Sequence, residues 1–185
     1  MLSLGILAPP GIRPVFSSMA TILVDRCSMC GCPGGRDACK SLFDDVSLRV
    51  RALAWTGSLS TWRLMHDVYA IQHEEEQCGA FTKLVMHLGG VCWALEHGGS
   101  EKGYRALQKL VERDPWKHLS YPPAPGIPAD RGTVTIAGLR EANEPERLVA
   151  GVDKWARAAW LAYGGLQPLA RDWVKQALLV AEGKA

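Results

Sequence analysis

Residues 26–39 read RCSMCGCPGGRDAC, and this stretch places four of the chain's six cysteines within fourteen positions. Cys27 and Cys30 form a C-x2-C pair, which suits a metal because a tight turn lets both thiolates reach one ion at about 2.3 Å. The glycines and the proline that follow are typical of such a turn. Cys39 lies in the first turn of a predicted helix, where exposed N–H groups favour a thiolate. The stretch therefore predicts three thiolate ligands at the start of a helical domain.

The sequence after Cys39 has apolar residues at helical spacing almost throughout. Asp37 and Ser60 are predicted N-caps of the first two helices, and residues 143–146 (NEPE) read as the capping box of a later one. Six helices are predicted, over about 38–54, 61–76, 80–97, 101–114, 146–163 and 166–180. The predicted fold class is all-α: a single-domain helical bundle of about six helices with an N-terminal zinc-knuckle-like Cys loop.

Three segments depart from this helical pattern. Residues 1–18 are apolar with three prolines and no basic start, and they are expected to form a loosely ordered extension. Residues 115–131 are rich in proline and predict a rigid, extended crossover. Residues 132–139 (GTVTIAGL) predict one short strand-like segment. The expected division is therefore an extension over 1–18 and one metal-binding helical domain over 19–185.

Composition narrows the class of protein. A chain of 185 residues with 48% apolar and 22% charged residues is typical of one soluble globular domain. The net charge of +2, without a Lys/Arg stripe, argues against nucleic acid as a partner. Charged residues and glycines interrupt every apolar stretch, so no membrane span is expected. Without an export signal a cytoplasmic location is expected, and reduced thiols there favour metal binding over disulfides.

The fourth ligand follows from how the first two helices pack. If the helix over 38–54 turns back into the helix over 61–76, Cys39 neighbours the region of His73 and not that of His66. Seven residues, about 10 Å along a helix, separate the two histidines, so they cannot readily hold one ion together. The predicted metal ligands are therefore Cys27, Cys30, Cys39 and His73, and this mixed thiolate and imidazole set favours zinc.

Different arrangements of the cysteines stay open at this point. Cys32 could replace Cys27 or Cys30, and Cys78 follows His73 closely enough to compete. The same cysteines could also form a disulfide or remain as simple buried thiols. A thioredoxin-like redox pair is not expected, because no βαβ pattern surrounds the C-x2-C pair.

Two further histidines form a second constellation. Packing of the third predicted helix back along the second places His66 opposite His87. Two imidazoles between helices could bind a second metal or act as acid and base, so these residues are the candidate catalytic pair. Each could equally be a half-buried histidine that hydrogen-bonds to its neighbours.

The sequence identifies no reaction, and two classes of function are compatible with it. The first is a metal-dependent enzyme or small-molecule binder that uses a pocket at His66 and His87. The second is a zinc-stabilised module that binds another protein without catalysis. The two differ in whether this histidine pair lines a solvent-reachable cavity or a sealed core.

The motifs also resemble a known family. "CSMCG…C" ahead of a helix, "HDVYAIQH" and "MHLGGVCWALEHG" are similar to an uncharacterised bacterial family of small Cys/His proteins, domain of unknown function 5946. The likeness covers about residues 27–175, and the chain departs from the family by adding Cys32 and by "EEEQC" at 74–78. The resemblance implies no established activity. The site residues that it implies are Cys27, Cys30, Cys39, His66, His73 and His87.

Overall fold

The computed structural model describes residues 25–54, 59–112 and 127–182. The predicted extension over 1–18 lies outside these ranges, and so does most of the predicted crossover over 115–131. Both remain predictions.

Within the described ranges the chain forms seven α-helices and no strand, which confirms the all-α class. One of the seven has only four residues, so the bundle has six longer helices, as predicted. The helices are α1 Gly35–Ala54, α2 Leu59–Gln72, α3 Glu74–Gln77, α4 Phe81–His97, α5 Glu101–Glu112, α6 Pro145–Ala162 and α7 Gln167–Ala181. None of them combines the length and the apolar character that crossing a membrane requires.

The prediction of a strand-like segment at 132–139 is wrong. Ile136–Leu139 forms a turn of 3-10 helix, and the Thr135 hydroxyl oxygen accepts a hydrogen bond from the Ala137 N–H at 3.3 Å. β-Branched residues favour a strand when side chains on a neighbouring strand pack against them. The described part of the chain offers no such neighbour, so the segment turns instead.

The first helix begins earlier than predicted. α1 starts at Gly35, so Asp37 lies in its first turn and is not the N-cap. Cys39 is then the fifth residue of the helix, beyond the four N–H groups that a helix start leaves unpaired. The expected help from the helix start is therefore weaker, and the groups around Cys39 must decide its protonation.

Two other predicted caps are also wrong. α2 begins at Leu59, which puts Ser60 inside the helix. Glu144 is the N-cap of α6, and its side chain makes no capping hydrogen bond. Pro145 follows at the first helical position, where its fixed φ and missing N–H cost nothing. Proline thus starts this helix without the predicted capping box.

The second helix ends four residues earlier than predicted. α2 stops at Gln72, and His73 leaves the helical region with φ −124° and ψ 39° before α3 begins. The His73 N–H still bonds to the Tyr69 carbonyl at 3.0 Å. The break therefore changes the direction of the chain while His73 stays attached to the last turn of α2.

The two most apolar helices lie at the centre of the bundle. α2 packs against α1, α4 and α6, and α4 packs against α2, α5, α6 and α7. Apolar residues are buried in both halves of the chain, including Trp155 and Trp173. Gly89 allows the closest approach of α4 to α7, because a Cβ there would lie 2.4 Å from the Trp173 ring. Each of the longer helices therefore packs against α2, α4 or both.

A fully buried amide fixes the C-terminal end of α2. The Gln72 amide nitrogen donates to the carbonyls of Arg131 at 2.8 Å and Val134 at 3.0 Å. Its amide oxygen accepts from the Trp155 indole N–H at 2.8 Å. Gln72 is 0% exposed, so all three bonds form away from water. One side chain thus joins α2 to α6 and to the segment before the 3-10 turn.

The Arg131 guanidinium reinforces the same junction. It donates to the Gln72 carbonyl at 3.1 Å and forms an ion pair with Glu74 at 2.9 Å. The Tyr163 hydroxyl donates to the Ile71 carbonyl from the far end of α6. The backbone on both sides of His73 is therefore held by side chains from distant parts of the chain.

We expect Gln72→Glu to lower the free energy of unfolding by about 3 kcal/mol, because a carboxylate cannot donate to two buried carbonyls. Chemical denaturation monitored by circular dichroism measures the change. Gln77→Glu, at an exposed position of α3, is the matched control and should change the stability by less than about 0.5 kcal/mol. Equal effects of the two substitutions would contradict the role given to Gln72.

Candidate metal centre

The Cys loop has the hydrogen bonds of a tight knuckle. The Cys27 N–H donates to the Cys32 carbonyl, and the Gly31 N–H donates back to the Cys27 carbonyl, both at 2.8 Å. Gly31 has φ +75°, a conformation that side chains disfavour and glycine tolerates. The turn brings the two thiols of the C-x2-C pair, Cys27 and Cys30, to the same side of the loop.

Four side chains converge where this loop meets α1 and the end of α2. The His73 Nε2 atom lies 3.6 Å from the Cys27 Sγ atom and 3.5 Å from the Cys39 Sγ atom. The Cys30 and Cys39 sulfurs are 3.6 Å apart. All four ligand atoms lie within 4.8 Å of one another. The structure thus brings together the three cysteines and the one histidine that the helix packing selected.

These separations are those of a tetrahedral site. Zinc–sulfur bonds of about 2.3 Å and zinc–nitrogen bonds of about 2.0 Å at tetrahedral angles place two sulfurs about 3.8 Å apart and a sulfur and a nitrogen about 3.5 Å apart. The observed sulfur–sulfur distance is 3.6 Å, and the sulfur–nitrogen distances are 3.5 and 3.6 Å. Three of the six separations among the four atoms therefore match those around one tetrahedral ion, and the others are no longer than 4.8 Å.

The imidazole of His73 is oriented for this purpose. Its Nδ1 atom lies 2.9 Å from the Tyr69 carbonyl oxygen, which can only accept, so Nδ1 carries the proton. The Nε2 atom therefore keeps its lone pair, which faces the cysteine sulfurs. A second ring nitrogen donating to a backbone carbonyl is the usual arrangement of a metal-bound histidine.

Aromatic stacking holds the ring in that orientation. The Tyr69 ring stacks on the His73 ring with centroids 4.0 Å apart, and the Phe43 ring stacks on Tyr69 at 3.8 Å. Neither aromatic residue was predicted as part of the site. The four-residue spacing from Tyr69 to His73 is the sequence signal that could have found the first of them.

The four side chains are buried, and two of the thiols, Cys30 and Cys39, are linked by a hydrogen bond. Exposed fractions are 2% for Cys27, 8% for Cys30, 0% for Cys39 and 1% for His73. A hydrogen bond from Cys39 lowers the pKa of Cys30 below its usual value. The same bond, with burial, raises the pKa of Cys39. Of these two thiols, Cys30 is therefore the one that loses its proton more readily, and the thiolate is the form that binds a metal.

The two competing cysteines lie outside the group of four. The Cys32 thiol is 3.7 Å from the Pro33 carbonyl, and the Cys78 thiol is 3.7 Å from the Ala70 carbonyl. Burial raises the pKa of both thiols, and for Cys78 the value is about 11. All six cysteines are free, so no disulfide competes for the sulfurs.

A second cluster of Cys92, Glu96 and His97 also brings ligand atoms within 4.8 Å of one another. Its carboxylate already bonds to the Arg171 guanidinium through both oxygens, at 2.7 and 2.8 Å. The His97 ring stacks on the Trp93 ring with centroids 5.1 Å apart. Existing interactions thus explain both exposed members of this cluster.

The two candidate catalytic histidines have separate surroundings. His66 lines a cavity of about 280 Å³ between α2, α4 and α5, and Asp67 lies in the same wall. The His87 Nδ1 atom lies 2.8 Å from the Asp67 Oδ1 atom. His66 Nε2 instead lies 3.2 Å from the Ser47 hydroxyl. The cavity is therefore reached directly by His66 and through Asp67 by His87.

The environment of His66 favours a neutral ring. The Trp62 ring lies 4.4 Å from it and the Phe43 ring lies edge-on at 5.1 Å, measured between centroids. Burial, followed by the charge of nearby His87, lowers the pKa of His66 from its usual value of 6.5. A neutral imidazole can donate or accept a hydrogen bond at the cavity wall.

We expect His66 to titrate below 6.5 in a long-range ¹H–¹⁵N NMR titration of the folded protein, because its burial disfavours the imidazolium. In His87→Gln the midpoint should rise part of the way back, since one of the two causes is removed. A midpoint at or above 6.5 in the unsubstituted protein would contradict this assignment.

Comparison with known proteins confirms the family resemblance that the sequence motifs indicated. No curated protein and no solved structure matches the chain. The model of the family described as "Family of unknown function (DUF5946)" matches residues 25–164, which include the Cys loop, all four converging side chains and the cavity. Since the match covers well over half of the sequence, the chain belongs to this family of unknown function, DUF5946.

Proposed function

We propose that this protein is a zinc-binding helical domain in which Cys27, Cys30, Cys39 and His73 hold one structural ion. The observation that carries the proposal is the convergence of three sulfurs and one imidazole nitrogen within 4.8 Å of one another, with three of their separations at tetrahedral values. Thiolates with one imidazole select zinc over magnesium or calcium, which prefer oxygen ligands. The hydrogen bond from His73 Nδ1 to a carbonyl fits a ring that binds through its other nitrogen.

A structural role is favoured over a catalytic one. Four protein ligands leave no coordination position for water or substrate, whereas catalytic zinc keeps one open. The group is also buried, with Cys30 the most exposed member at 8%. An ion here would join the Cys loop to α1 and to the end of α2.

Binding of a small molecule is the second part of the proposed function. The cavity beside α2 supports it, because His66 and Asp67 stand in a wall that is otherwise largely apolar. Apolar pockets with a few convergent polar groups are the usual form of a small-molecule site. A protein-binding module has less support, since the five exposed large apolar residues of the described chain are spread over four segments: Leu48 in α1, Leu59 in α2, Ile127, and Val149 with Leu161 in α6.

The purified protein should contain about one equivalent of zinc by elemental analysis, as a closed set of four ligands requires. Cys39→Ser should lose most of the metal and lower the melting temperature, because the binding energy of a structural ion is part of the folding energy. Cys78→Ser changes an equally buried thiol outside the cluster and should keep the metal. Metal-free protein, or a Cys39 variant that melts like the unsubstituted protein, would contradict the proposal.

His73→Ala should also lose the zinc, whereas His66→Ala should keep it and remain folded. The reason is that the His73 Nε2 atom lies beside two of the sulfurs, while His66 lies about 10 Å away along α2. Zinc content and melting temperature of the two variants check this together. Loss of zinc from the His66 variant alone would show that the wrong histidine had been assigned.

A further inference from the structure

The cavity wall contains three buried polar atoms without a partner. They are Trp62 Nε1, Arg63 Nε and Tyr104 Oη, and none hydrogen-bonds to any residue that the structure describes. All three residues line the same cavity, beside His66. These atoms are shielded even from water, so the three side chains must turn towards the cavity before a ligand can reach them. A buried polar atom without a hydrogen bond costs free energy, so a ligand that draws these side chains inward completes their bonding.

The chemistry of these atoms defines what the ligand must offer. Indole and guanidinium nitrogens only donate, and a tyrosine hydroxyl can donate as well. Arg63 is also positively charged, and its guanidinium carbon lies 5.2 Å from the centre of the Tyr104 ring. The positive charge therefore lies close to Tyr104, whose hydroxyl has no partner among the described residues. A group with two acceptor oxygens and a negative charge satisfies these donors best.

We propose that this cavity binds a small carboxylic acid with an apolar body, the carboxylate accepting hydrogen bonds from Trp62, Arg63 and Tyr104 as these side chains turn towards it. The inference rests on the small-molecule part of the proposed function and is independent of the zinc. The apolar body would lie against Met86, Leu107 and Val111, which are the aliphatic side chains of the described wall. Since a cavity of about 150 Å³ holds benzene, the 280 Å³ here suits a molecule of about ten non-hydrogen atoms.

Two acidic groups near the cavity do not prevent this. Asp67 is in the wall, but its Oδ1 atom already accepts from His87 at 2.8 Å, and burial raises the pKa of its carboxyl group. Glu101 pairs with Arg63 through an Nη atom at 3.4 Å, which leaves the Nε–H unused. A matching cationic ligand would need unpaired acceptors, whereas the unpaired buried atoms of this wall belong to donor-bearing groups.

The test compares three probes of equal size that differ only in the terminal group: 3-phenylpropanoate, 3-phenylpropan-1-ol and 3-phenylpropylamine. Calorimetric titration of the zinc-loaded full chain at neutral pH measures each affinity. We expect the acid to bind at least about tenfold more tightly than the alcohol or the amine, because only the acid gives charge-assisted bonds to the donors. Equal or tighter binding of the alcohol or the amine overturns the proposal, and so does binding of none of the three.

Matched substitutions locate the bound acid. Arg63→Gln should weaken its binding about tenfold, whereas Arg105→Gln, which removes the other arginine paired with Glu101, should change it less than about twofold. Tyr104→Phe keeps the ring and should weaken binding about threefold or more by removing one hydroxyl. Acid binding that survives Arg63→Gln and Tyr104→Phe unchanged would place it elsewhere and overturn the proposal.

A cavity-filling variant and a metal assay complete the test. Val111→Phe should abolish acid binding while circular dichroism and zinc content stay unchanged; undiminished binding in a folded variant overturns the proposal. Elemental analysis of the same samples separates the two claims. Metal-free protein that binds the acid as described refutes the zinc and supports this inference, whereas zinc-loaded protein that binds no probe refutes this inference alone.

Discussion

The structure depends on how the C-terminal end of α2 is held. Gln72 bonds to α6 and to the segment at 131–134, while the next residue, His73, turns its ring towards the Cys loop. Helical geometry alone would let these adjacent side chains move together with a frayed helix end. The bonds of Gln72 and Arg131 fix the backbone there, and the position of the imidazole follows from it.

The two sites of the molecule share this helix. The candidate metal centre is at its C-terminal end, and the cavity is lined by residues one to three turns earlier, from Trp62 to Asp67. Phe43 on α1 touches both, since its ring stacks on Tyr69 and meets His66 edge-on. An ion that fixes the Cys loop against α1 and α2 would therefore also fix one side of the cavity wall.

Sequence patterns predicted the helices far better than their ends. Apolar residues recur every three to four positions because one face of each helix is buried, and that requirement is visible without a partner. Helix ends are harder to predict, because several nearby residues can each cap a helix. The helices predicted to be capped by Asp37, Ser60 and the capping box begin one or more residues away from the predicted positions. The strand expected near Thr135 also failed, since a strand depends on a neighbour that local sequence does not reveal.

The sequence by itself determined the all-α class, because helical periodicity is visible without a partner. Cysteine spacing and antiparallel helix packing predicted the four residues that converge, but they left Cys32 and Cys78 as alternatives that only the tertiary structure set apart. The sequence could not determine what orients the four residues. The residues that do so come from distant segments of the chain: Gln72, Arg131 and Trp155. Only the folded chain shows that they form hydrogen bonds with one another. The cavity likewise arises from three helices at once, so the unpaired donors of Trp62, Arg63 and Tyr104 are visible only in the tertiary structure, where burial separates them from water.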